Sequence, residues 1–452
     1  MKSSTKIALL IASIISVSLI LNLSFDRDYW ATVLLPVIYG LGILLFFKPD
    51  IYKYGPCSIC LIFFYAFRMC LLPVICAWGN FYMEISKNLY IQYYTASILL
   101  MCLEFLIVIL STNYFCKRTL KKNIIIIESI NHKLLNVSAL SFAIIIVAGL
   151  VLIAPNYFHF ILGEVDEDPF AIETVHQGMW YVLDLACTLG RPLVCFVLVY
   201  YGMSKGKVGG YIIVAVVIVS NFLFLTDRRI FSFLISGVCL YYVLLTVKSK
   251  FISRTLLSVL GLAAVAAIYV SFYYQFGEGN EFISRTFEHY FSGPSLTAIG
   301  LVANNSVDYK MTDFFNFLFN DFHVLNVIFG KYQVTNFYDD VFGFSKGFWT
   351  PMFVGGIRYF GILAPLFIVG FTKFIVFCDY KTRCYKDHLA QMIYVFMGVA
   401  LSCYMIMYML ELILYYLMTT VVLYSLLVHY SNRRDKKTIV ISQSLVNNLD
   451  VK

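Results

Sequence analysis

Five arginines raise the first chemical question. Arg228, Arg229, Arg285 and Arg358 fall where other cations are sparse, and Arg191 sits inside an apolar run. A guanidinium presents planar, paired N–H donors that match phosphate oxygens better than an ammonium does. Taken singly, each arginine has a plain alternative as one half of a structural ion pair. As a group they point to an anion held where little else is charged. Arg68, Glu104, Asp184 and Glu411 also interrupt apolar stretches. Charges so placed are costly in hydrocarbon and turn toward a bundle interior or a watery cavity. Asp184 and Arg191 are two turns apart on one helix face, where they either bracket a polar cavity or neutralise other buried partners.

Other chemistries lack their residues. The chain has no G-x-x-x-x-G-K-[ST] loop, no G-x-G-x-x-G and no H-E-x-x-H, so nucleotide use is not expected. His159, His176, His289 and His323 on one side of the chain's topology, and His132, His388 and His429 on the other, do not fall at ligand spacing. Cys57 and Cys60 make a lone C-x-x-C without a second pair. No metal and no cofactor are expected. The net charge of +8 comes from short basic loops, which read as topological anchors near lipid headgroups. A nucleic-acid partner is not expected.

The elements that must position these residues are membrane spans. The composition is 60% hydrophobic and only 13% charged, where an average soluble domain carries about 25% charge. Crossing a bilayer takes about 20 mostly apolar residues. Ile7–Ser24, Cys57–Trp78, Val137–Pro155, Thr255–Gln275 and Leu412–Val428 all approach or meet that length. Length and flanking charge together predict an all-α, polytopic helical bundle of about twelve spans in a single membrane domain, 1–452. They centre near 7–24, 31–47, 57–78, 91–115, 137–155, 179–203, 211–226, 230–247, 255–275, 350–377, 391–410 and 412–430. The first is read as a retained span, since no Ala-x-Ala-like site follows it.

Alternate loops then differ in charge. Most Lys and Arg, from Lys2 and Lys6 through Lys117, Arg118, Lys121 and Lys122 to Arg433–Lys437, fall on one side. The other side keeps Arg27, Lys87, Arg228, Arg229, Arg285, Lys310, Lys331 and Lys346. Lys and Arg stay cytoplasmic, so both termini are read as cytoplasmic. The four arginines then lie toward the outside, and an arginine-lined outer cavity suits a lipid pyrophosphate better than a neutral solute. Two outer segments are long: the acidic Asn156–Gly178, and 276–349, which is too aromatic to read as disordered. Within the second, Glu281–Tyr290 and Asp313–Phe329 read as short interfacial helices. Phe315, Leu318, Phe322, Leu325 and Phe329 form one face of the latter.

Three stretches carry a likeness. They are Phe224-Leu-Thr-Asp-Arg-Arg-Ile-Phe231, Glu288-His-Tyr-Phe-Ser-Gly-Pro-Ser295 and Gly347-Phe-Trp-Thr-Pro-Met-Phe-Val-Gly-Gly-Ile-Arg-Tyr-Phe-Gly361. With the many spans and the late outer loop, the chain resembles the oligosaccharide repeat-unit polymerases, the Wzy-type O-antigen polymerases. The resemblance implies a metal-independent glycosyltransferase in a bacterial inner membrane, acting on undecaprenyl-pyrophosphate-linked glycans to build O-antigen or capsule. A chain-length regulator and a flippase would be its partners. It implies that Arg191, Arg228, Arg229, Arg285 and Arg358 hold the pyrophosphate. One of Glu281, Glu288, His289 and His323 would deprotonate or orient the acceptor hydroxyl. An O-antigen ligase-like transferase and a lipid-linked oligosaccharide flippase or transporter are the rival readings.

Overall fold

The computed structural model describes residues 3–23, 27–48, 54–79, 87–120, 124–161, 186–204, 208–221, 229–246, 291–306, 351–407, 410–432 and 438–441, with Thr255, Ser258, Leu262 and Phe314. Its principal helices run in chain order. They are α1 (Ser3–Asn22), α2 (Leu34–Phe46), α3 (Pro56–Trp78), α4 (Lys87–Leu120), α5 (Lys133–Ile161), α6 (Arg191–Ser204), α7 (Val208–Asn221) and α8 (Arg229–Thr246). There follow α9 (Pro294–Ser306), α10 (Met352–Phe360), α11 (Ala364–Cys384), α12 (His388–Met407) and α13 (Ile413–Asn432).

Seven described helices are long and apolar enough to cross a membrane: Ser4–Asn22, Pro56–Trp78, Tyr93–Leu120, Ala186–Ser204, Met352–Cys384, His388–Met407 and Ile413–Asn432. Trp30–Phe46, Lys133–Gly149, Gly209–Asn221 and Phe231–Thr246 are apolar but shorter. Of the expected span at 255–275, only Thr255, Ser258 and Leu262 are described. The exposed faces are apolar where a soluble protein would be polar. On α1 they carry Ile7, Ile11, Ile14 and Leu21, and on α5 Val137, Leu140, Ile144, Val147 and Val151. Such stripes suit a hydrocarbon solvent, and they mark a mostly helical membrane protein.

The chain forms two compact units. The first comprises Met1–Lys122, Glu278–Tyr380 and Leu401–Leu417. Within it α1 packs on α2, and α2 on α4. The start of α3 is fixed by Pro56 at its first position. The carboxylate of Asp379 accepts from the N–H groups of Cys57 at 2.8 Å and Ser58 at 3.0 Å. A buried anion there satisfies orphan N–H donors and complements the helix dipole. The Cys57 of the C-x-x-C pair is therefore part of a helix start, packed out of solvent. Further on, α3 widens into a π turn over Phe67–Leu71, a local irregularity that α-helices keep mostly at functional sites. Gly361, at φ 53°, ends α10 in a backbone conformation that glycine tolerates best.

The second unit comprises Asn123–Gly277, Lys381–Ala400 and Met418–Lys452. Phe396 packs edge-on against Phe196 and Phe231, and the Tyr424 hydroxyl donates to the carbonyl of Leu189 at 2.7 Å. His132 and Asp387 meet at 2.7 Å, while Asp387 also accepts from the N–H of Ala390 in the first turn of α12. This unit also holds a departure from the all-helical expectation. Strands β1 (Ile124–Ile127) and β2 (Thr438–Ile441) pair antiparallel, with Ile124 opposite Ile441. Four consecutive isoleucines, branched at every Cβ, favour extended backbone over helix.

Candidate functional site

The first unit gathers its polar groups along α9. This helix starts after Gly293, whose carbonyl accepts both from the N–H of Thr297 at 3.0 Å and from its hydroxyl at 2.9 Å. Pro294 occupies the first helical position, where its missing N–H costs nothing. Leu296, Ala298, Ile299, Val302 and Ala303 are all buried, as are Ser295 and Thr297. Among the described residues of 276–349, Pro294–Ser306 is a core helix packed on α4, while the interfacial helices read at Glu281–Tyr290 and Asp313–Phe329 lie outside the described residues, Phe314 apart.

Two ends of α9 meet α4 at different depths. At the C-terminal end the Asn305 amide donates to the hydroxyl of Tyr93 at 3.2 Å. At the N-terminal end Arg68 links the two helices: its Nη1 donates to Glu104 at 2.7 Å and its Nε to the carbonyl of Ser292 at 3.2 Å. From position 93 to position 104 a helix rises about 16 Å, roughly half the hydrocarbon thickness. So α9 runs antiparallel to α4 and begins about halfway down it.

The N-terminal end of α9 is a buried charged cluster. Arg68 is 1% exposed and Glu104 2%. The hydroxyl of Tyr65 donates to the same Glu104 oxygen at 2.6 Å, and the ring of Phe67 stacks on Phe291 at 5.8 Å. Arg68 lies in the π turn of α3. Among the described residues Ser292 is the non-glycine with positive φ, at 45°, a conformation disfavoured by on the order of 1 kcal/mol for an L-residue. Function is drawn to such strained, buried, charged places.

The C-terminal end of α9 is a polar clasp. Arg358 of α10 donates from Nε to Asn304 at 2.8 Å, and Asn304 donates in turn to the carbonyl of Val354 at 3.1 Å. The Arg358 guanidinium lies 5.9 Å from the Tyr359 ring centre. Phe314 is buried against Tyr359 and Phe360, with ring centres 5.1 and 5.0 Å away.

The arginines proposed from sequence divide accordingly. Arg358 belongs to this site. Arg191 belongs to the second unit, where it is buried at the start of α6 with its guanidinium 5.7 Å from the Phe231 ring centre. Arg229 begins α8, and only its backbone is described. Arg228, Arg285, Glu281, Glu288, His289 and His323 lie outside the described residues, as does Asp184. No family model, curated protein or solved structure matches the chain.

Two further features bear on chemistry. Among the described residues no three His, Cys, Asp or Glu side chains gather as a metal site. A cavity of about 220 Å³ lies at the other end of α4, lined by Phe115, Arg118, Thr119, Lys373, Phe377 and Tyr380. Its two cations fit the expected role of basic anchors at a headgroup layer. Arg68, Glu104, Tyr65 and Ser292 enter the site from the structure. The first two are visible in sequence as charges within apolar runs. Ser292 lies in the Ser-Gly-Pro stretch, but nothing in its residue type announces a positive φ.

Proposed function

We propose that this chain is a polymerase of lipid-linked oligosaccharide repeat units, a multi-pass bacterial inner-membrane glycosyltransferase with about twelve spans and both termini in the cytoplasm. It transfers a growing glycan from undecaprenyl pyrophosphate to a sugar hydroxyl of a single lipid-linked repeat unit at the outer face, releasing the polyprenyl pyrophosphate. The observation that carries this reading is the clasp between Arg358 and Asn304. It links two of the three resembling stretches, since Ser292-Gly293-Pro294 opens the helix that carries Asn304, and Arg358 lies in the glycine-rich stretch. A guanidinium held in plane by a fixed Nε bond is preorganised for a phosphate. The leaving group is already a pyrophosphate, so arginines can stabilise its developing charge without a metal. The acceptor hydroxyl still needs a carboxylate or histidine, and Glu281, Glu288, His289 and His323 remain its candidates.

One observation favours a second reading. A helix that begins near mid-span is a device of membrane transporters, whose broken helices aim their N-termini at anionic substrates. Deletion followed by a surface-glycan gel separates the two. Loss of a polymerase leaves lipid core bearing one repeat unit, whereas loss of a flippase leaves core with none. A wild-type ladder in the deletion strain would end both readings.

A further inference from the structure

We infer that the buried start of α9 is an anion-binding site for a phosphoryl oxygen, built from Arg68 Nη2, the Ser292 hydroxyl and the first turn of the helix. Three observations meet there. Arg68 is 1% exposed, and its Nη2 is buried with no hydrogen-bond partner, although Nη1 and Nε are both engaged. Ser292 is fully buried, and its hydroxyl also has no partner. The two residues are joined through the Arg68 Nε bond to the Ser292 carbonyl, so the unspent donors flank one helix start. A buried polar atom left unpaired is costly, and a native fold keeps one mainly where something else completes it.

The chemistry of the missing partner follows from the donors. Guanidinium N–H groups and helix-terminal amides only donate, and a serine hydroxyl can donate too, so the ligand must accept. Glu104 already balances the charge of Arg68. What remains is the partial positive charge of a helix N-terminus and the unspent protons of Arg68 Nη2 and the Ser292 hydroxyl, a combination that selects an oxyanion. Position on α4 puts the site about 16 Å inward of Tyr93, a depth that a phosphate reaches through a cavity or on a lipid. The positive φ of Ser292 has a use here, since it turns the chain into the helix with a serine where glycine would be relaxed.

The proposal shares its ligand chemistry with the polymerase reading and rests on that reading only for the carrier of the phosphate. Binding is therefore measured apart from glycan synthesis, on the full-length protein purified in detergent. Inorganic pyrophosphate and, separately, undecaprenyl phosphate in mixed micelles are titrated against thermal unfolding, with undecaprenol as the uncharged control. At least one phosphate should stabilise the wild type saturably, and undecaprenol should not. Response to pyrophosphate identifies a soluble anion, and response to the lipid alone identifies a lipid-borne one. Ser292→Gly relieves the backbone while deleting the hydroxyl, so it should fold as well as the wild type and bind about tenfold more weakly. Arg68→Lys keeps the charge beside Glu104 but loses the spare guanidinium donors, and should weaken binding at least as much. Arg118→Ala, in the basic cavity at the other end of α4, should bind like the wild type. The site is refuted if neither phosphate stabilises the wild type, or if the Arg68 and Ser292 variants bind normally. It is refuted equally if binding is lost only on replacing Arg118.

Discussion

Buried charge is the most demanding chemistry that single residues perform in this fold. Arg68 and Glu104 are each nearly inaccessible and 2.7 Å apart. Removing one partner leaves an uncompensated ion, at a cost of about 3–5 kcal/mol, whereas replacing both with apolar groups is often tolerated. Glu104→Leu should therefore lose most of its folded protein, and Arg68→Met combined with Glu104→Leu should recover it, as read by membrane abundance and thermal unfolding of the purified chain. A single variant as abundant as the wild type would show that the pair carries no structural weight. At the clasp with Asn304, Arg358→Lys keeps charge but loses the planar fork, which costs on the order of 2 kcal/mol or about 30-fold in rate if the group acts in the transition state. Glycan ladders should shorten in Arg358→Lys at normal abundance and stay full in Arg118→Ala. The sequence showed Arg68, Glu104 and Arg358 as charges in apolar runs. It could not show that Arg68 and Glu104 are partners, because periodicity relates positions along one helix and says nothing across two.

At the scale of elements, several of the described helices were legible from apolar length. Pro56–Trp78, His388–Met407 and Ile413–Asn432 fall almost where hydropathy set them. The missed helix, α9, is short and rich in small residues, so it lacks a span's length and an amphipathic stripe's contrast. Its only local announcement was Gly293-Pro294, a start signal that a loop also uses. Close packing between α6 and α7 offers an element-scale test. A Cβ added at Gly210 would lie 1.9 Å from the carbonyl oxygen of Gly202, whereas one at Gly209 would meet nothing within 4 Å. Gly210→Ala should push the two helices apart and destabilise the second unit by about 1–3 kcal/mol. Gly209→Ala should be neutral or slightly stabilising, since alanine is the better helix former. Thermal unfolding of the two variants decides it, and equal midpoints would mean that the helices adjust without cost.

For the whole molecule, sidedness is the property on which every site assignment depends, and charge and geometry bear on it together. Charge counting puts Lys117 and Arg118 in the cytoplasm and 276–349 outside. Geometry ties Asn305 to Tyr93, near the beginning of α4, whose other end carries Lys117 and Arg118. From position 93 to position 118 a helix rises about 38 Å, more than the hydrocarbon core. If Arg118 is cytoplasmic, Asn305 is therefore external, and the clasp of Asn304 with Arg358 faces outward with it. Topology reporters fused after Lys122, Lys205 and Lys436 should register as cytoplasmic, and those after Asp168 and Asn305 as external. A cytoplasmic signal after Asn305, with Lys122 also cytoplasmic, would contradict the length of α4 itself. An inverted pattern at all five positions would keep the helix geometry but turn the Arg358 clasp inward, away from the face at which transfer is proposed.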